Sequence, residues 1–224
     1  MAEPVPELAM ICPRCGEWID RPLALEPSGP STLRMTCPHC RAPSPVEQHR
    51  LWFVTGSSGS GKTTLTPLLR ARLPGCVVFE CEAIHYWLFK DERGYASLYN
   101  QWLQVAREIA LNGRPTVLVG TALPEQLDEC PNRPYFSAVH YLGLVCEAAE
   151  QTRRLRARPP WRRSAEPTFV AQSVAFTERL RELAATGRVE LLDTTGIAPS
   201  EAADRAASWV RRRLRAGRGA RRSA

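Results

Sequence analysis

Residues 56 to 63 read Gly-Ser-Ser-Gly-Ser-Gly-Lys-Thr, the spacing G-x-x-x-x-G-K-T. Gly56, Gly59 and Gly61 let the backbone turn its N–H groups onto phosphate oxygens, with Ser57, Ser58, Ser60 and Thr64 completing the cradle. Lys62 has the reach for the β- and γ-phosphates of a nucleoside triphosphate, and Thr63 carries a hydroxyl suited to Mg²⁺. Such a loop needs a strand before it and a helix after it. The apolar run 51–55 supplies the strand, and 63–73 supplies an amphipathic helix with Leu65, Leu68, Leu69 and Leu73 on one side. A Gly/Ser-rich turn that binds nothing is the bland alternative.

Glu80 and Glu82 close the next strand candidate, two apart. On a strand such residues share a face. One could hold Mg²⁺ while the other accepts a proton from a substrate hydroxyl, and we assign Glu80 to the metal and Glu82 to the proton. Either could instead cap the helix that follows. The strand candidate at 116–120 ends Val119-Gly120-Thr121, without the acid that often closes this strand in phosphate-loop proteins that hydrolyse their nucleotide.

Nine residues at 153–163 other than Leu155 and Ala157 comprise six arginines, Pro159, Pro160 and Trp161. Guanidinium groups here could close over a transferring phosphate, with the two prolines ending the helix in a lid-like turn. Arg154 and Arg158, four apart, share a helical face and are the first candidates; an ordinary solvated helix face is the alternative. Thr194 and Thr195, after the fifth strand, are candidates for contacts to a bound adenine, though turn formation accounts for them almost as well. His85, three residues after Glu82, could meet substrate. Tyr86, Trp87, Tyr99 and Trp102 could line an acceptor pocket, but Leu98, Trp102, Val105 and Ile109 repeat at helical spacing and read better as core.

A separate chemistry sits near the amino terminus. Cys12 and Cys15, in C-P-R-C, and Cys37 and Cys40, in C-P-H-C, are two knuckles 21 residues apart. Four thiolates so spaced suit a tetrahedral structural Zn²⁺; iron or redox chemistry and a metal-free reading are weaker alternatives. His39, between two ligands, reads as a solvent-facing knuckle residue. The other four cysteines lie singly in or beside apolar stretches.

The elements that must position these groups alternate. Strand candidates 51–55, 76–81, 116–120, 139–145 and 189–193 are interleaved with helical patterns at 63–73, 95–112, 146–157, 167–186 and 200–214. This predicts an α/β chain with a parallel sheet covered on both faces, and ligands at the carboxyl ends of the strands. We divide the chain into residues 1–46, a zinc ribbon at 10–42 and a linker holding Pro43 and Pro45; 47–216, the phosphate-loop domain; and 217–224, a disordered basic tail.

Seven of the last fourteen residues are arginines, with no acid among them, and the formal charge is +7. Without that tail the chain is close to neutral, and only Lys62 and Lys90 are lysines. A solvated tail is expected, with polyanion binding as the sharper alternative. The absence of an 18-residue apolar run and of a basic, apolar leader gives the expectation of a cytoplasmic protein with no membrane partner.

Together, Gly56–Thr63, Glu80-Cys81-Glu82 and Arg154-Leu155-Arg156-Ala157-Arg158 resemble the small P-loop kinases, the group that includes shikimate kinase, gluconate kinase and chloramphenicol phosphotransferase. The resemblance covers about residues 50–214. It implies a P-loop NTPase fold with a five-stranded parallel sheet flanked by helices, ATP with Mg²⁺, and phosphate transfer to the hydroxyl of a small-molecule acceptor. By the same resemblance Glu82 meets the acceptor and the arginines form a lid. Two features depart from it: Glu stands where the group more often has Asp, and no D-G-x-P-R segment appears at Gly120–Pro124. The amino-terminal ribbon is also foreign to the minimal kinases. The alternative expectation is a nucleic-acid-associated P-loop protein, or a polynucleotide 5′-kinase, using ribbon and tail.

Overall fold

The computed structural model describes residues 10–12, 14–19, 25–83 and 95–222, with residues 10 and 216–222 as backbone only. His85, Tyr86 and Trp87 lie outside the described residues. The chain begins with two small antiparallel pieces: a hairpin of β1 (Met10–Ile11) and β2 (Trp18–Ile19), and a three-stranded sheet of β3 (Leu25–Gly29), β4 (Thr32–Thr36) and β5 (Pro43–Glu47). The segment expected as a linker is therefore β5. Pro43 and Pro45 are tolerated because β5 is an edge strand, and positions two apart turn their missing N–H groups the same way, to the free edge.

A single residue separates β5 from β6 (His49–Gly56), the central strand of the main sheet. After it come α1 (Lys62–Arg72), β7 (Val77–Glu80), α2 (Ala96–Leu111), β8 (Thr116–Gly120), the short α3 (Pro124–Asp128) and β9 (Phe136–Val145). The chain closes with α4 (Ala148–Arg156), α5 (Pro167–Ala185), β10 (Glu190–Asp193) and α6 (Pro199–Arg222). The five strands pair in the order β10-β9-β6-β8-β7, every pair parallel. Helices α1 to α6 match the expected helical patterns, apart from α3, too short to give a periodic signal, and α6. That helix runs to Arg222, so 217–222 continues it rather than forming the disordered tail expected.

The alternation of β6 explains how both faces are covered. Leu51 and Phe53 point into one core with Leu98, Trp102, Leu103, Leu118 and Tyr141; Trp52 and Val54 point into the other with Leu65, Leu69, Val117, Leu144 and Trp209. Ala202, Ala203, Ala206 and Ala207 present a small face of α6 to this second core. Tyr99 and Trp102 are buried in the first core, the reading favoured for them. Ile19, Met35, Cys37 and Val46 belong to that same cluster, so the amino-terminal piece packs onto the main domain. Because β6 neighbours both β8 and β9, its carboxyl end lies where successive connections diverge, the crevice in which such sheets take ligands. Among the described residues no helix is long and apolar enough to cross a membrane.

Candidate active site and metal centre

The phosphate loop leaves the carboxyl end of β6 and enters α1. Gly59 and Gly61 adopt φ of 85° and 100°, a left-handed backbone that costs other residues energy. Gly61 caps α1 with no side-chain cap, and the first turn carries no acid, so its N–H groups are left for an anion. Thr63 and Thr64 lie exposed on that turn.

Lys62 is 7% exposed, and its Nζ donates to the Gly56 and Ser57 carbonyls at 2.7 and 3.0 Å. The Glu82 carboxylate stands 3.9 Å from it. Burial lowers the Lys62 pKa to about 8; Glu82 opposes that fall and Arg158 adds to it. Lys62 and Glu82 therefore face a common space, and the Arg158 charge acts on both. Arg158 is itself held below the usual arginine range, first by burial and then by Arg162, with Glu82 opposing. Among the described residues the Arg158 guanidinium has no hydrogen bond or ion pair.

Glu80 ends β7, but Cys81–Ala83 is a three-ten turn. The expectation that Glu80 and Glu82 share a strand face is thus corrected: the strand stops at Glu80, and the turn carries Glu82 to Lys62. Thr121 donates to the Gly56 carbonyl at 3.0 Å and lies 3.4 Å from Glu82 Oε1, joining the ends of β6, β7 and β8.

Arg154 does not face the same space. Its Nε donates to Glu150, Nη1 to the Gly59 carbonyl and Thr194 Oγ1, and Nη2 to the Thr194 carbonyl at 2.8 Å. It ties α4 to the phosphate loop and to the turn after β10, so it is a clamp rather than the lid arginine expected. The two threonine hydroxyls are also occupied. Thr194 Oγ1 donates towards the Ser60 and Val145 carbonyls, and Thr195 Oγ1 accepts the Glu147 N–H at 2.8 Å. The N–H groups of Thr194 and Thr195 are taken as well, by the Val145 carbonyl and the Asp193 carboxylate at 2.8 Å each.

No sequence signal marks Gln151, which is wholly buried beneath the loop. Its Nε2 donates to Ser57 Oγ at 2.5 Å and to the Ser58 and Ser173 carbonyls, and its Oε1 accepts from Thr177 Oγ1 at 3.0 Å. A lone glutamine in an arginine-rich helix looks like a solvated residue; only the packing of α4 and α5 against the loop makes it a support.

At the amino terminus the two knuckles repeat one hydrogen-bond pattern. Cys12 N–H donates to Glu17 O and Gly16 N–H to Cys12 O; Cys37 N–H donates to Ala42 O and Arg41 N–H to Cys37 O. The residue after each second cysteine, Gly16 or Arg41, is left-handed, with φ of 73° and 61°. Zn–S bonds of 2.3 Å in a tetrahedron set sulfur separations of about 3.8 Å. Cys12–Cys40 and Cys15–Cys37 stand at 3.8 and 3.9 Å, and all four sulfurs fall within 4.8 Å of one another. Backbone N–H groups of Cys15 and Arg14 favour the Cys12 thiolate, lowering its pKa to about 6. The thiols thus fit Zn²⁺. His39 turns its Nε2 to the Trp18 carbonyl at 3.1 Å, away from a fifth-ligand role.

Solved structures share this fold. The structure is similar to a sugar kinase from Janibacter sp. HTCC2649, with a TM-score of 0.56 and 20% identity, over 72% of this chain and 94% of that one. It is also similar to the tunicamycin resistance protein of Deinococcus radiodurans, with a TM-score of 0.54 and 20% identity, over 73% and 96%. No protein-family model and no curated protein sequence matches the chain.

Proposed function

We propose that the protein is an ATP-dependent kinase that transfers the γ-phosphate to a hydroxyl of a small molecule. The observation that carries this reading is the meeting of Lys62, Glu82 and Arg158 at the phosphate loop, with β8 closing on Gly120 rather than on an acid. A hydrolase needs water positioned against the γ-phosphate; in this reading the Glu82 carboxylate instead receives a proton from an acceptor. The likeness to solved structures titled sugar kinase and tunicamycin resistance protein supports a small acceptor.

In this reading the loop N–H groups and Lys62 hold the β- and γ-phosphates. Thr63 and Glu80 would hold Mg²⁺, which supplies charge neutralisation across those phosphates. Glu82 takes the acceptor's proton as its oxygen bonds to the γ-phosphorus, the bond to the bridging oxygen breaks, and ADP leaves. Arg158 neutralises charge developing on the transferred group. Arg154 and Gln151 keep the loop in place. His85 and the neighbouring aromatic residues are proposed for the acceptor side. The ribbon thiols are proposed to hold a structural Zn²⁺.

The test is a screen of nucleosides, sugars, sugar acids and antibiotics for acceptor-dependent ADP formation, repeated with Glu82→Gln. Acceptor-dependent turnover lost in the variant, with ATP still bound, supports the proposal. Unaltered turnover in the variant removes Glu82 from the mechanism.

A further inference from the structure

The arginine-rich end of the chain plays no part in that chemistry, and the structure gives it a place. A cleft of about 320 Å³ opens at the amino-terminal edge of the sheet, lined by Arg50, Arg114, Arg213, Trp52, Leu214 and, as its one acid, Glu47. Arg50 lies six residues before Gly56 on β6, so at 3.3 Å per residue the cleft sits about 20 Å from the phosphate loop.

The three guanidinium groups come from three elements: β6, the turn before β8, and α6. Arg213 is held by the Glu190 carboxylate and lies 5.1 Å over the Trp209 ring. Arg114 donates to a carbonyl, Pro74 O, at 3.4 Å. The Arg50 guanidinium has no hydrogen bond or ion pair among the described residues. A half-buried arginine without an acceptor is costly unless something anionic arrives to take its donors. Trp52 adds a second, independent sign. It is 3% exposed, it lines the cleft, and its indole N–H has no acceptor. The neighbouring His140 ring, 5.8 Å from Trp52, is pushed towards its neutral form: burial, then Arg213 and Arg50, hold its pKa below the usual range.

We propose that this cleft and the adjoining end of α6 bind the phosphodiester backbone of a nucleic acid strand. A single small anion would be satisfied by two guanidinium groups. Here the arginines run on along the chain past the cleft: after Arg213 the sequence carries Arg215, Arg218, Arg221 and Arg222, with no acid after Asp204. Such a run of arginines matches a chain of phosphates rather than one. The surface is remote from the phosphate loop, so the proposal stands or falls independently of the kinase reading.

The test uses the full-length, zinc-loaded protein without nucleotide and a fluorescent mixed-sequence single-stranded RNA of about 20 nucleotides, followed by anisotropy. Each phosphate neutralised on a single strand contributes about −0.7 to the slope of log K against log[salt]. Three cleft arginines therefore predict a slope of about −2 or steeper, or roughly a 20-fold loss between 50 and 200 mM NaCl. Arg50→Gln and Arg114→Gln are each expected to flatten the slope by about 0.7. A cooperative thermal melt followed by circular dichroism in each variant checks that the chain is folded, and either variant alone decides the question. No binding at 50 mM NaCl, a slope flatter than about −1, or affinity unchanged in a folded variant would overturn the proposal. So would equal competition by inorganic phosphate at matched phosphate concentration, which would mark a small-anion site instead.

Discussion

Glu82 is the lever on the charge of Lys62, and its removal should be visible in nucleotide binding alone. Burial lowers the Lys62 pKa to about 8 from the ordinary lysine value of 10.5. Between those values the folded protein has released a proton that the unfolded chain still holds, so the Lys62 contribution to stability rises with pH across that window. Nucleotide affinity runs the other way, because only the charged amine attracts phosphate. ADP affinity measured without Mg²⁺ should be flat below about pH 8 and then weaken by about tenfold per pH unit until the Lys62 contact is lost. The Glu82 side chain is 53% exposed and stands 3.9 Å from Nζ, so a water-like dielectric applies. A unit pair at that distance is worth about 1 kcal/mol, or about 0.8 of a pKa unit. Glu82→Gln should therefore move the break in affinity down to about pH 7, while binding at pH 6 is retained. Titration calorimetry from pH 6 to pH 10 on both proteins reads the two breaks. The same break in both, or an affinity flat to pH 9.5, would refute the electrostatic coupling inferred from the geometry.

Other perturbations separate support from chemistry. Gln151→Leu leaves Ser57, Ser58 and Thr177 short of partners, which should cost about 2 kcal/mol and lower Tm by about 6 °C in calorimetry, with weaker ATP binding. Arg158→Ala should reduce kcat by about a hundredfold with ATP affinity little changed, since Arg158 is aimed at transferred charge; equal losses in both would make it a ground-state contact. Metal analysis should find about one Zn²⁺ per chain. Cys37→Ser should lower that content and also Tm, because Cys37 packs in the same core as Leu51 and Phe53; an unchanged Tm would mean the ribbon folds apart from the main domain.

Much of the architecture was legible because local pattern and tertiary role agree. Leu51–Val54 reads as a doubly buried strand, and the glycines of the loop announce its backbone before any contact is known. The cysteine spacing likewise carried its geometry. Where reading failed, the cause was a contact between distant residues or a local break in regularity. Nothing near Arg154 shows that it will be held by Gly59, 95 positions earlier, or by Thr194, 40 later. The period-two argument for Glu80 and Glu82 assumed that the strand continues, and it ends one residue too soon. Pro43 and Pro45 read as linker residues because proline spoils most strands; only an edge position with both nitrogens facing outward admits them. Residues 217 to 222 read as a disordered tail, whereas α6, whose alanine face is buried from Ala202 to Ala207, continues through them.

The central claim is that the phosphate loop serves transfer rather than hydrolysis. It is tested most directly by following γ-labelled ATP with Mg²⁺, with and without a pool of small hydroxylated compounds. The account predicts label recovered on a small molecule, dependent on that molecule and lost with Glu82→Gln. Label appearing only as inorganic phosphate, at a rate indifferent to every acceptor, would contradict it.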